Sequence, residues 1–174
     1  MKTSSITRVL AVSALAAAAL APAQPALAAE EQFFDPDVAC PDFVLGFLPT
    51  GGILHTKEFK DRNGNVVRIL TAGKGTLNTY TNYGPDPLNR VAGKSVSIRT
   101  DGSVTSIKVN PDDTLTYTTT GHFGLIMYPS DVPAGPSTTQ YIGRIVFDVD
   151  LATGVFTLVS TRGSAVDVCA KLAN

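Results

Sequence analysis

Two cysteines bracket nearly all of this chain beyond its first 28 residues, and that pair limits the fold more than any other feature. They stand at positions 40 and 169 of 174 residues. Export is read from the other end of the chain. Lys2 and Arg8 flank the approach to the apolar stretch Val9 to Leu20, and the small-residue triplet Ala26-Leu27-Ala28 follows; this is the charge, apolar and cleavage layout of a secretory signal. The apolar stretch falls short of the roughly 20 residues that a membrane-spanning helix needs, so residues 1–28 read as a cleaved signal and residues 29–174 as the mature protein. Cys40 sits in the acidic, proline-containing stretch Glu30 to Pro41 instead of directly after the apolar core, which argues against a lipid anchor. The expected location is extracellular, with no membrane anchor. In such an oxidising setting the expectation is a single Cys40–Cys169 disulfide that ties the first element of one domain to the last.

Between the cysteines the punctuation is that of an all-β protein. Asn63-Gly64 separates Lys57-Glu58-Phe59 from Val66 to Leu70, and Asp101-Gly102 separates Ser95 to Arg99 from Val104 to Val109. Both dipeptides supply the positive φ that tight hairpins demand, so two hairpins are predicted. Asn110-Pro111-Asp112-Asp113 and Ala152-Thr153-Gly154 mark two more turns. Apolar and polar residues alternate in Ser95 to Arg99, and again in Tyr141 to Asp150, where Tyr141, Ile145, Phe147 and Val149 form the inward face. No mature window shows helical spacing with a capping residue before it. Nine or ten strands result, closed into a single antiparallel β-barrel, with a two-sheet β-sandwich as the alternative.

The charge balance narrows the partners. The formal net charge of −1 becomes more negative once Lys2 and Arg8 leave with the signal, and the chain has no tryptophan. The basic footprint of a nucleic-acid binder is missing, so no nucleic-acid partner is expected. Candidate motifs fail on spacing. Asp61, Asn63 and Asn65 alternate like calcium ligands, but the sixth and twelfth positions of such a loop are Val66 and Ala72, where glycine and glutamate are required. Gly93-Lys94-Ser95 ends like a phosphate loop, yet Leu88 stands where the first glycine belongs. No metal site and no cofactor are predicted. His55 and His122 are the only histidines, and either is a candidate acid/base group because imidazole titrates near neutrality.

Several segments carry a resemblance. At Cys40-Pro41-Asp42-Phe43, His55 to Phe59, Asp61 to Arg68, Ala72-Gly73-Lys74-Gly75 and Pro133 to Arg144, the chain resembles a set of functionally uncharacterised small exported proteins of high-GC Gram-positive bacteria. The resemblance covers nearly the whole mature chain and implies export and one compact domain. It carries over no catalytic residue.

Two stretches rich in Pro, Gly and small polar residues, Tyr83 to Gly93 and Pro129 to Thr139, interrupt the strand rhythm. Loops on a rigid β scaffold disproportionately carry function. Tyr83 and Asp86 in the first, with Tyr128, Asp131, Gln140 and Tyr141 in and beside the second, are therefore the predicted binding residues. Their mix of aromatic and hydrogen-bonding groups suits a small polar ligand or a cell-surface component. The functional expectation is a monomeric binding or extracellular interaction module, the alternative being a small secreted enzyme that uses His55 or His122.

Overall fold

The computed structural model describes residues 30–173; the signal assigned to residues 1–28 lies outside them. Ten strands and one short helix form two antiparallel sheets. β1 (Gln32–Phe34), β2 (Leu45–Thr50), β5 (Leu77–Asn82) and β6 (Ser95–Arg99) make a four-stranded sheet in the order β1-β2-β5-β6. β3 (Ile53–Lys60), β4 (Val66–Lys74), β7 (Val104–Val109), β8 (Thr114–Met127), β9 (Ser137–Asp150) and β10 (Phe156–Asp167) make a six-stranded one in the order β10-β9-β8-β7-β4-β3. The all-β expectation is met, and no ladder joins the two sheets into a closed barrel among the described residues.

The chain passes between the sheets by turning corners. β2 runs into β3 through Gly51-Gly52, and β4 into β5 through Gly75-Thr76, so residues 45–82 form one long hairpin bent at mid-length, with Asn63-Gly64 at its tip. Gly64 has φ +87°, as that tip requires. Asp61 completes it by accepting the amides of Asn63 and Asn65, and these bonds, that from Asn65 first, hold its carboxyl below the usual carboxylate value.

The Asp101-Gly102 expectation needs correction. Gly102 does adopt positive φ (+76°), but β6 and β7 do not pair with each other. β6 takes β5 as its partner, and β7 takes β4 and β8. The preceding hairpin is already bent, so the strands that lie against its two halves must part at the same level. The turn dipeptide makes a corner here, not a hairpin.

A row of glycines marks that level across the larger sheet. Gly73 pairs with Leu54, its neighbour Ala72 pairs with Val104, Val104 pairs with Thr120, and the next residue, Gly121, pairs with Gly143, which pairs with Gly163. Gly73, Gly121, Gly143 and Gly163 have φ between +94° and +149°, a range that side-chain-bearing residues avoid. A Cβ at any of them would strike neighbouring backbone: Ile53 from Gly73, Arg162 from Gly143 and Ile142 from Gly163 on adjacent strands, and the Gly102-Ser103 corner from Gly121. The curl of the sheet follows from distances. A straight strand would put Ser137 and Asp148 about 36 Å apart, yet the loop that leaves Met127, the partner of Ser137, bridges at Val132 to Thr157, the partner of Asp148. Five residues reach only about 18 Å, and this loop is itself turned by an Asp131 amide bond to the Tyr128 carbonyl.

The packing agrees with such a curl. Odd-numbered side chains from both sides of the row, Leu115, Tyr117, Phe123, Leu125 and Met127 of β8 with Tyr141, Ile145, Phe147 and Val149 of β9, gather in one core with Phe156 and Leu158. Tyr117 stacks on Phe147 at 4.8 Å. The inward face predicted for Tyr141 to Val149 is thus observed. A second core lies over the four-stranded sheet, where Phe43, Leu45 and Tyr80 meet Cys40, Cys169, Val168 and Leu172, with Ile126 arriving from β8. Helix α1 (Val168–Leu172) supplies the last of these; Asp167 caps it by accepting the Ala170 amide. The Cys40–Cys169 disulfide is present, with Cα atoms 5.5 Å apart.

Gly143→Val should lower stability by roughly 2–5 kcal/mol, from the left-handed backbone and the clash together. Gly102→Ala, where a Cβ meets nothing within 4 Å, should cost only the backbone share, roughly 1–2 kcal/mol. Urea unfolding of both variants measures the difference, and equal losses would mean that the row tolerates side chains. Replacing both cysteines by alanine should cost roughly 5 kcal/mol, the chain-entropy figure for a separation of 129 residues. A loss below about 1 kcal/mol would show that core packing alone fixes the two ends.

Candidate functional site

The predicted binding residues are placed by strand geometry into separate duties. Tyr83 follows β5; its hydroxyl donates to Glu31 Oε2 at 2.9 Å and its ring stands edge-on to Phe33 at 5.1 Å. Arg90 lies over the other partner of that contact, 4.3 Å from the Phe33 ring centre. Tyr83 and its loop therefore hold β1 against the sheet, and burial followed by the Glu31 contact raises the phenol pKa. Asp86, exposed, accepts the Leu88 amide at 2.9 Å, the local bond that aspartate makes in turns.

The second group is organised around Asp131, which is 4% exposed. One carboxylate oxygen accepts the Tyr128 amide at 2.6 Å and the other accepts the Phe156 amide at 2.9 Å. It clamps the loop onto the free edge of β10. Burial, with the Asp131 charge adding to it, raises the Tyr128 pKa. Tyr141 belongs to the core inside the curled sheet. Gln140, one residue before it, points the other way and is fully buried.

The histidines do not meet. His55 is exposed on β3 and alternates with Leu54, so the two side chains leave opposite faces of the strand. Leu54, not His55, lines a cleft of about 190 Å³ that also contains His122. This cleft forms where the corners converge. Gly75, Thr76 and Asn78 come from the β4–β5 bend, Thr100 and Ser103 from the β6–β7 corner, Thr71 and Thr105 from the adjoining strand ends, and His122, Phe123 and Gly124 from β8 just past its row glycine. Gly75 is needed because a Cβ there would strike the backbone of Thr100 and Asp101.

Six of the eleven lining residues carry a hydroxyl or amide group, and these groups are pre-oriented. Thr76 donates its hydroxyl to Asn78 Oδ1 at 2.7 Å, and its amide donates to Thr100 Oγ1 at 2.8 Å. The Ser103 hydroxyl bridges to the carbonyls of Thr100 and His122, and accepts the His122 amide. Thr105 pairs with Thr119 at 3.0 Å, and Thr71 with Thr56 at 3.2 Å. Burial raises the pKa of the Tyr80 phenol, and the Asn78 side chain partly offsets that rise. His122 Nδ1 lies 3.3 Å from the Asp101 carbonyl, and no carboxylate lines the cleft. No grouping of three or more metal-ligating side chains occurs among the described residues. A second hollow, of about 250 Å³, lies over the disulfide between Pro41, Phe43, Pro136 and Ala170; its Asp167 carboxylate is already committed to capping α1.

Sequence reasoning singled out His122 here but not Thr71, Thr76, Asn78, Thr100, Ser103 or Thr105. The signal that could have led to them is Gly73-Lys74-Gly75-Thr76, in which two glycines interrupt a strand pattern and mark close backbone approach. Set against known protein families, curated proteins and solved structures, the chain matches none.

The Asp131 clamp generates a prediction. Asp131→Ala removes charge-assisted bonds to two backbone amides, each worth about 1.5–3 kcal/mol, and should lower the melting temperature measurably. An unchanged melting temperature in a thermal unfolding scan would mean that the loop docks without it.

Proposed function

We propose that the protein is an exported, monomeric binding module whose corner cleft holds a small, uncharged, hydroxyl-rich ligand such as a single sugar ring. The observation that carries this reading is the cleft wall itself. Six hydroxyl or amide side chains converge on a space that also offers the apolar surfaces of Leu54 and Phe123, the combination of apolar wall and placed polar groups that small-molecule sites use. At about 190 Å³ it lies below the roughly 300–1,000 Å³ typical of drug-sized ligands. With no carboxylate or ammonium group in the lining, a neutral polar molecule is the best chemical match. The resemblance to small exported proteins and the disulfide, which suits an oxidising compartment, support the extracellular setting. We read the two sheets as the walls of an open barrel, the sandwich being the alternative; the shared corners favour the former.

The enzyme alternative would use His122, since His55 stands outside the cleft. A general base is normally oriented by a third group, and here the imidazole faces a backbone carbonyl. Binding is the better reading.

Titrating ¹⁵N-labelled mature protein with neutral monosaccharides should move the amides of Thr76, Asn78, Thr100 and His122 together and saturably. Thr71→Val, which removes one hydroxyl at nearly constant volume, should weaken that binding roughly threefold to tenfold, the worth of one hydrogen bond. Shifts confined to the Tyr83–Gly93 or Pro129–Thr139 loops would move the site away from the cleft.

A further inference from the structure

The tip of the β3–β4 hairpin sets side by side two groups that react with each other. The backbone nitrogen that follows an asparagine can attack the asparagine side-chain carbonyl carbon and close a five-membered imide. A side chain on the following residue obstructs that approach, and glycine has none. Asn63 and Gly64 are both exposed, and a Cβ built on Gly64 would meet nothing within 4 Å. The Asn63 backbone amide donates to Asp61, but its carboxamide has no hydrogen-bond partner among the described residues. The Gly64 amide donates to the Asp61 carbonyl at 3.2 Å, at the long end of the hydrogen-bond range.

Every other described asparagine is protected by its neighbour or its burial. Asn65 precedes the β-branched Val66, and its carboxamide donates to Asp61 Oδ2. Asn78 and Asn82 are buried inside the four-stranded sheet. Asn89 is followed by Arg90, whose side chain stands in the way, and Asn110 by Pro111, which has no N–H to lose. Asp101-Gly102 has the same backbone freedom, but a carboxylate is a far poorer electrophile than a carboxamide, and Arg99 holds it at 3.4 Å.

We propose that Asn63 is a site of spontaneous covalent modification, deamidation through a cyclic imide, and that Asp61 sets its pace. The Gly64 nitrogen gives its proton to water and attacks Asn63 Cγ; a new C–N bond forms, the bond from Cγ to Nδ2 breaks, and ammonia leaves. Water then opens the imide at either carbonyl. One opening leaves aspartate at position 63. The other leaves isoaspartate, in which the chain runs through the former side chain with one methylene added. Asp61 opposes the first step, because its carboxylate accepts the amides of Asn63 and Asn65 and its carbonyl accepts that of Gly64. The tip must give up some of these bonds before the Gly64 nitrogen can reach Cγ. Either product puts a second carboxylate beside Asp61. The change stays local, since β3 is the outermost strand of its sheet, and Leu54 in the cleft lies about 20 Å away along an extended strand. The proposal is independent of what the cleft binds.

Storage of the folded mature protein in mildly alkaline buffer, followed by trypsin digestion and mass spectrometry, reads this directly. The peptide 63–68 should exchange an NH₂ for an OH at Asn63, largely as isoaspartate, before any other asparagine converts. Asn63→Gln should abolish the change in that peptide. A peptide that stays intact in the folded protein and converts only after urea unfolds it overturns the proposal, as does earlier conversion at Asn65 or Asn89. Asp61→Ala should speed the conversion roughly tenfold, the worth of about one charge-assisted bond, with circular dichroism checking that the variant is folded. Asp61→Ser, which keeps a smaller acceptor at the tip, should fall between the two rates. Equal rates in all three proteins would remove Asp61 from the account.

Discussion

The row of backbone positions that crosses the larger sheet at Gly73, Gly121, Gly143 and Gly163 is the constraint on which the remaining architecture depends. Strands of fourteen residues are long for a small domain, and left straight they would expose one face along much of their length. Bending them at a common level lets one face close on itself as a core and turns the other toward the four-stranded sheet. A bend needs either an inserted residue or a residue without a side chain. Both occur here, since the ladder also slips between Leu158 and Ser160. Because the glycines are in register, the bend is shared from strand to strand.

The cleft is a by-product of that bend. Where a sheet turns a corner the side chains on either limb diverge, and the strands that change sheets bring their connecting residues to the same place. Thr76, Thr100 and Ser103 all sit at such crossings and spend part of their hydrogen-bonding capacity fixing one another. The lining is therefore held before any ligand arrives, which reduces the ordering cost of binding.

What the sequence revealed and what it hid divide along physical lines. Turn dipeptides act locally, so Asn63-Gly64 and Ala152-Thr153-Gly154 were readable, as were the inward residues Ile145, Phe147 and Val149, whose alternation is local too. The cysteine pair was readable because the chain has only two cysteines, one near each end of the described residues. Partner choice between strands is not local. Asp101-Gly102 carries the same turn chemistry whether the flanking strands pair or part, and only the bent hairpin beside them decides. The cleft was hidden for the same reason: its polar groups come from four strands and two corners and form no motif in order. Composition drew attention to Tyr83 and Asp131, but their hydrogen bonds serve β1 and β10. Gln140 was selected for its polarity beside a loop; its burial on β9 could not be seen from residue type.

The disulfide has a consequence for how the molecule responds to a cut in its backbone. Every connection from β2 to β10 lies between Cys40 and Cys169, including the exposed segment between β5 and β6 that carries Leu88. A protease that cuts one of those loops opens the chain without releasing a piece of it, because the fragments stay joined through the bridge and through ladders on both sides of the cut. Such damage changes the connectivity of the molecule while leaving its mass, apart from one water, as it was.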